Sequence, residues 1–345
     1  MNAAQGRSHY NARVRIDSSA PTRIDLAGAT FDIWPLYLFH ESAQTVNAAI
    51  SLRASCTLTS RSDDRLSLSS LDTDDAVEVA RWSDLPDAPA LGLLSRVVRF
   101  FQPSGADLAT RSDSPVGAGI AGSSALDIAV CGALDRWVDG KRSADALLTI
   151  AMNVEAQAIG VPTGVQDYRP ALYGGVAAVE LGVDAVRHVP LDVDIDEFDR
   201  RLVVAYTGAS RHSGLNNWEI TKRHIDGDRH VFDDFERIRD AAAAVRLGLT
   251  RGDWPAVARG VNAEWSHRKR LAPGVTTPLI EDLIGRARAA GATAAKVCGA
   301  GGGGCLFCLA EPDAVPSVRE ALATGGATIL ACHVERDGLR VAAHE

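Results

Sequence analysis

Residues Ser114 to Ala125 read Ser-Pro-Val-Gly-Ala-Gly-Ile-Ala-Gly-Ser-Ser-Ala and run straight into an apolar helical repeat. Gly117, Gly119 and Gly122 lack a Cβ, so the backbone can bend sharply and turn its N–H groups onto a ligand. Ser123 and Ser124 place hydroxyls where the next helix opens. A helix N-terminus with free N–H groups suits an anion, above all phosphate. Further along, Gln166-Asp167 sits in a loop (161–175) shaped by two prolines and three glycines. Asp167 is either a turn-former or, among apolar and aromatic neighbours, a candidate base. Arg23, Asp25 and Asp32 are charges in an otherwise apolar stretch, 20–35. Charges so placed are paired internally or functional.

The spacing Gly117-x-Gly119-x-x-Gly122 also fits the dinucleotide fingerprint, which requires a preceding strand in a βαβ unit and an acidic residue about 20 positions on. Gln102 to Ser114 is polar and reads as no clear strand, and Asp139 falls at a helix end. The Walker sequence is absent. The loop therefore reads as phosphate-binding but of neither common design.

These residues need elements to hold them. Alternation predicts strands at 13–17, 45–59, 65–71, 176–181 and 201–206. Helical spacing predicts a helix at 91–101 and one carrying Leu126, Val130, Ala133, Leu134 and Trp137, stopped by Gly140. Ser143 caps the next helix, which carries Leu147, Ile150, Ala151, Val154 and Ala158, with Glu155 near its end at Gly160. A polar loop covers 207–218, and three helices follow at 231–250, 253–271 and 277–290. A second glycine-rich loop, within 295–307, lies between two strands. A last helix and a strand pair close the chain. Cys305 and Cys308, three apart on a strand, point to opposite faces and read as small buried hydrophobes rather than metal ligands. His267-Arg268-Lys269-Arg270 reads as a solvated helix end.

The 345 residues suit about two domains. The aspartate-rich stretch 183–200 places the boundary, giving domains 1–190 and 191–345. A net charge of −8 gives no reason to expect a nucleic-acid or acidic-membrane surface. No apolar run matches a membrane span or a signal-peptide core. The expectation is a cytoplasmic protein acting on a small molecule, with its oligomeric state left open.

Three motifs stand in order: Pro21-Thr-Arg-Ile-Asp-Leu-Ala-Gly, Pro115-Val-Gly-Ala-Gly-Ile-Ala-Gly-Ser-Ser-Ala-Leu and Lys296-Val-Cys-Gly-Ala-Gly-Gly-Gly-Gly. Together they resemble the signature motifs of the GHMP kinases, over about residues 14 to 340. Gln166-Asp167 before Gly174-Gly175, Tyr206-Thr-Gly-Ala-Ser-Arg and Gly274-Val-Thr-Thr-Pro resemble the branch of D-glycero-D-manno-heptose 7-phosphate kinase and the fucokinase domain.

The resemblance implies an α+β, two-domain fold with the active site in the cleft, and ATP as donor. It implies that Pro115, Gly117, Ala118, Gly119, Ile120, Ala121, Gly122, Ser123 and Ser124 wrap the triphosphate. Ser123 or Ser124, with Glu155, would hold magnesium. Asp167 would take the acceptor proton, with Arg23 keeping it ionised. Asp32 and Gln166 would bind the acceptor, with Arg211 (and His212) for any phosphate it carries. Gly299, Gly301 and Gly302 would support the first glycine loop. Ala29 and Phe31 depart from the branch pattern at the expected sugar pocket, and Gly122 replaces a serine. The implied reaction is phosphorylation of a sugar or sugar phosphate, at the anomeric hydroxyl. The alternatives are a non-sugar alcohol such as an isoprenoid precursor, or a nucleotide-binding regulator without turnover.

Overall fold

The computed structural model describes residues 14–344 except 29, 87–90 and 210–212, and describes only the backbone of 213–216. The expectations for Ala29, Arg211 and His212 therefore lie outside the described residues.

The chain opens with a long antiparallel pair, β1 (Arg15–Ala27) and β2 (Gln44–Ser60), in register from Arg15↔Thr59 to Ala27↔Val46. The register shifts at Pro21, which has no N–H to give the ladder. β3 (Leu66–Ser70), β4 (Asp75–Val79), α1 (Gly92–Phe101) and β5 (Ala106–Ser112) follow. β5 pairs antiparallel with β2 and parallel with β3, so a strand does precede the glycine loop, contrary to the sequence reading. Only Ala106, Leu108 and Thr110 are buried in it, and a strand with one wet face carries enough polar residues to read as loop.

α2 (Gly122–Trp137) and α3 (Ala144–Ile159) come next. Asp139, not Gly140, takes the left-handed turn after α2, at φ 53°. Ser143 caps α3 as expected, its Oγ accepting from Ala146 N–H at 3.2 Å. α4 (Tyr168–Tyr173), β6 (Val176–Leu181) and β7 (Val186–Pro190) complete this part. The rest comprises α5 (Ile195–Arg201), β8 (Leu202–Tyr206), α6 (Ser213–Ile225), α7 (Arg229–Arg251), α8 (Trp254–Arg268), α9 (Pro278–Ala289), β9 (Ala292–Val297), β10 (Cys305–Ala310), α10 (Val315–Thr324), β11 (Thr328–Leu330) and β12 (Arg340–His344). α6 takes up the end of the stretch expected to be loop.

Two sheets result. The larger runs β12-β1-β2-β5-β3-β4, with β6 on the first residues of β2 and β7 on β6; the smaller runs β11-β8-β10-β9. A cut at residue 190 does not keep 191–345 together, because β12 returns to pair with Arg15–Ser19 of β1 and covers that strand's open edge.

One core lies between the large sheet and α1–α4, and a second lies around β8–β10 with α7, α9 and α10. A third joins the sheets: Ile24, Leu26 and Ile50 meet Val204, Val261 and Phe307, and Ala118 and Ile120 of the glycine loop sink into it. β10 alternates strictly between two of these cores. Cys305 belongs to the third and Cys308 to the second, on opposite faces as the spacing predicts. No helix among the described residues is long and apolar enough to cross a membrane.

Candidate active site

A cavity of about 410 Å³ runs between the glycine loop, the start of α2, the end of α3, the turn before α4 and the loop after β1. Gly117 and Gly119 take φ 69° and 73°, left-handed values that favour glycine. Ala121 precedes α2 in the same region and offers no side-chain oxygen to the helix. The first-turn N–H groups of α2 are thus left for an anion. Gly122 has a local reason: a Cβ there would lie 2.5 Å from Ser114 Oγ. Pro115, Ala118 and Ser124 line the cavity with these residues, while Ile120 is a core anchor outside the lining.

The second glycine loop, expected to support the first over Gly299 to Gly304, meets it at its last residue, Gly304, and at Cys305. Cys305 N–H donates to Ala118 O at 2.6 Å, and a Cβ on Gly304 would lie 2.5 Å from that oxygen. Gly301 and Gly302 pack on Val275, with Gly302 N–H donating to Val275 O at 2.8 Å. Gly299 is held at both ends, its N–H by Asp25 Oδ1 at 2.7 Å and its carbonyl by Arg268 Nη2 at 2.8 Å. Gly304→Ala is expected to cost about 1–3 kcal/mol from the backbone angle alone. It would also push the two loops apart. A lower thermal midpoint and a smaller shift on adding ATP check this.

Asp167 ends the short turn Val165–Asp167 and faces Arg23 from β1. Arg23 Nε and Nη2 both donate to Asp167 Oδ1, at 3.0 and 2.5 Å, while Nη1 donates to Gly119 O at 3.0 Å. Burial works against the Arg23 charge, but Asp167 and Asp25 outweigh it and raise its pKa. Behind Arg23 the charges continue inward. Lys296 Nζ lies 3.1 Å from Asp25 Oδ2 and 2.8 Å from Glu264 Oε2, all three fully buried. Burial pushes the Asp25 carboxyl up, but Lys296, Arg23 and Arg268 hold it below the usual carboxylate range. Of the charges flagged in 20–35, Arg23 and Asp32 line the cavity, and Asp25 is paired behind Arg23.

Asp32 accepts from Gln166 N–H at 2.8 Å and from Gln166 Nε2 at 3.1 Å. Burial, then the charge of Asp167, push its pKa up to about 7. Between pH 4 and 7 the native state then keeps a proton that the unfolded chain has released, so this group lowers stability as pH rises through that window. Asp32→Asn should flatten the fall in thermal midpoint between pH 5 and 8. Gln166 can turn its Oε1, which is buried without a hydrogen-bond partner, toward the new amide.

Glu155 is held by three hydroxyls: Ser123 Oγ donates to Oε1 at 2.5 Å, Ser124 Oγ to Oε2 at 2.8 Å and Tyr168 Oη to Oε2 at 2.5 Å. Burial raises its pKa, and these donors pull it part of the way back. No cluster of three His, Cys, Asp or Glu suited to a metal occurs among the described residues. A carboxylate with two serine hydroxyls is instead a partial set of hard oxygen donors, and it fits a magnesium ion whose other ligands are phosphates and water.

Two further expectations need correction. Phe31 does not line the cavity; it is fully buried, with its ring 4.9 Å from Phe235 and 5.1 Å from His40. Arg268 is not a solvated helix end. It is 1% exposed, lines the cavity and donates to Thr30 Oγ1 at 2.6 Å. Its neighbours are the surface charges: His267 and Arg270 pair with Asp234, and Lys269 with Glu281. The signal was available, since Val257, Val261, Glu264, Trp265 and Arg268 share one buried helical face. Thr30 and Asn217 also line the cavity and were not expected to.

The sequence profile described as GHMP kinases N terminal domain matches residues 90–175, and that described as GHMP kinases C terminal matches 241–328, together half of the chain. The D-glycero-alpha-D-manno-heptose 7-phosphate kinase of Campylobacter jejuni is 28% identical over 317 residues, covering 89% of this chain and 93% of the relative. The mevalonate kinase of Pyrococcus abyssi is 27% identical over 241 residues, 69% of each chain. Among solved structures, a D-glycero-D-manno-heptose 1-phosphate kinase from Bacteroides thetaiotaomicron superposes with a TM-score of 0.76 at 24% identity, covering 95% of this chain and 98% of its own.

Proposed function

The chain belongs to the GHMP kinases, ATP-dependent phosphotransferases with an alcohol acceptor, and from that premise we propose that it phosphorylates a hydroxyl of a sugar or sugar phosphate. The observation that carries this reading is the double grip of Arg23. One guanidinium bonds Gly119 O of the phosphate loop and Asp167 Oδ1, so donor loop and base are held together. Both bonds to Asp167 fall on Oδ1, which leaves Oδ2 to take a proton.

The acceptor oxygen attacks the γ-phosphorus, the bond to the β-phosphate oxygen breaks, ADP leaves and the acceptor proton passes to Asp167. A transition state of this kind asks mainly for positioning and neutralisation of charge. The N–H groups of the glycine loop and of the start of α2 supply part of that. Bound to Ser123 or Ser124 and Glu155, magnesium would supply charge neutralisation at the phosphates.

The acceptor end is polar. Asp32 and Gln166 form one hydrogen-bonded unit in the cavity wall, a polar lining that needs hydroxyl partners on the acceptor. A polyol meets that need better than an alkyl chain does. The heptose 7-phosphate kinase relative supports a sugar phosphate, with the anomeric hydroxyl as the expected target.

The test is incubation with magnesium-ATP and separate acceptors: heptose 7-phosphates, galactose, fucose, arabinose, glucuronate and mevalonate. ADP release and product mass are followed, with Asp167→Asn as control. A phosphorylated sugar absent with the variant supports the proposal. Phosphomevalonate would move the substrate to a non-sugar alcohol, and nucleotide binding without product from any acceptor would favour a regulator.

A further inference from the structure

Tyr168 follows the proposed base by one residue, yet it does not line the cavity. Its ring is fully buried in the core between the large sheet and α1–α4, which also holds Ala151 and Val154. A buried tyrosine hydroxyl needs a partner, and a backbone carbonyl would serve. Tyr168 instead donates to Glu155, at 2.5 Å. That bond falls on Oε2, which also accepts from Ser124, while Oε1 accepts from Ser123. The carboxylate is therefore pinned on one oxygen by two donors and held on the other by a single serine. Its rotation is fixed before any cation arrives.

We propose that Tyr168 is a positioning residue for a divalent cation: its hydroxyl fixes the Glu155 carboxylate in the orientation that receives the cation of the incoming nucleotide. The proposal rests on the kinase reading. Because Asp167 and Tyr168 are consecutive at the start of α4, one piece of backbone sets both the base and the metal-facing carboxylate. Hydrogen-bond partners behind a metal ligand typically change affinity by about 10–100-fold when removed.

The test is Tyr168→Phe, which keeps the ring and deletes the hydroxyl. Mn²⁺ replaces Mg²⁺, and free Mn²⁺ is followed by electron paramagnetic resonance with a non-hydrolysable ATP analogue present. Mn²⁺ binding should weaken about 10-fold. Metal-free nucleotide affinity and kcat at saturating Mg²⁺ should stay within a few-fold, and only the Mg²⁺ concentration needed for half-maximal rate should rise. A folded variant with unchanged or tighter Mn²⁺ binding overturns the proposal. Absence of any Mn²⁺–nucleotide binding by the wild-type protein would instead overturn the kinase reading beneath it. 3-Fluorotyrosine placed at position 168 keeps the ring and the hydroxyl and makes that hydroxyl a stronger donor to Glu155, so Mn²⁺ affinity should shift from the wild-type value. It decides the question if the phenylalanine variant does not fold, and unchanged binding there overturns the proposal.

Discussion

Asp167→Asn lowers kcat by about 10²–10⁴-fold, the usual worth of a positioned general base. Asparagine keeps the shape and an oxygen that can still accept from Arg23, so the double grip on Gly119 O and the turn before α4 survives. What disappears is the capacity to take the acceptor proton. ATP affinity should stay within a few-fold, because the phosphate loop does not use the carboxylate. The fold should tolerate the change, since the Asp167 side chain is 31% exposed. Steady-state kinetics beside ATP binding separate these outcomes. A variant with wild-type kcat would remove Asp167 from the mechanism.

Lys296→Met should be the most destabilising of the single substitutions considered, by about 3–5 kcal/mol. Lys296 is fully buried between Asp25 and Glu264, also fully buried. Removing the ammonium leaves the buried Glu264 carboxylate without its cation, beside an Asp25 that keeps Arg23, and in the interior an uncompensated charge is far more costly than a missing contact. The loss should be strongly non-additive: adding Glu264→Gln should restore part of the stability, because it removes the charge left without a partner. Denaturant unfolding of the two single variants and the double variant forms the cycle. Additive losses would mean that Lys296 and Glu264 do not act as a pair. Asp25 also holds Gly299 N–H and sits beside Arg23, so the single variant should lose activity as well as stability.

Parts of this site were legible in the sequence for identifiable reasons. The glycine loops showed because their backbone angles leave little choice: Gly117, Gly119, Gly301 and Gly304 all take positive φ, and two of them touch backbone oxygens where a Cβ would stand. Arg23, Asp25 and Asp32 showed because charge in an apolar stretch is rarely accidental. Arg268 was hidden by its neighbours, as four consecutive basic or histidine residues look solvated until the helical face is traced from Val257. Lys296 was hidden differently: on a short strand between alanine and valine, nothing local reveals two carboxylates from β1 and α8. β5 was missed because one of its faces is wet. The destination of β12 could not be read at all, since pairing across more than three hundred residues leaves no local trace.

That last pairing bears on how the protein is made. The ribosome releases β1, the phosphate loop and Asp167 long before residues 340–344 emerge. Until they do, the Arg15–Ser19 edge of the large sheet stands open, with backbone donors and acceptors ready for any passing strand. Translation that stalls or stops early therefore leaves a nascent chain with most of its nucleotide-binding half formed and one adhesive edge. On a crowded polysome the nearest strand available to it is the same edge on the next chain.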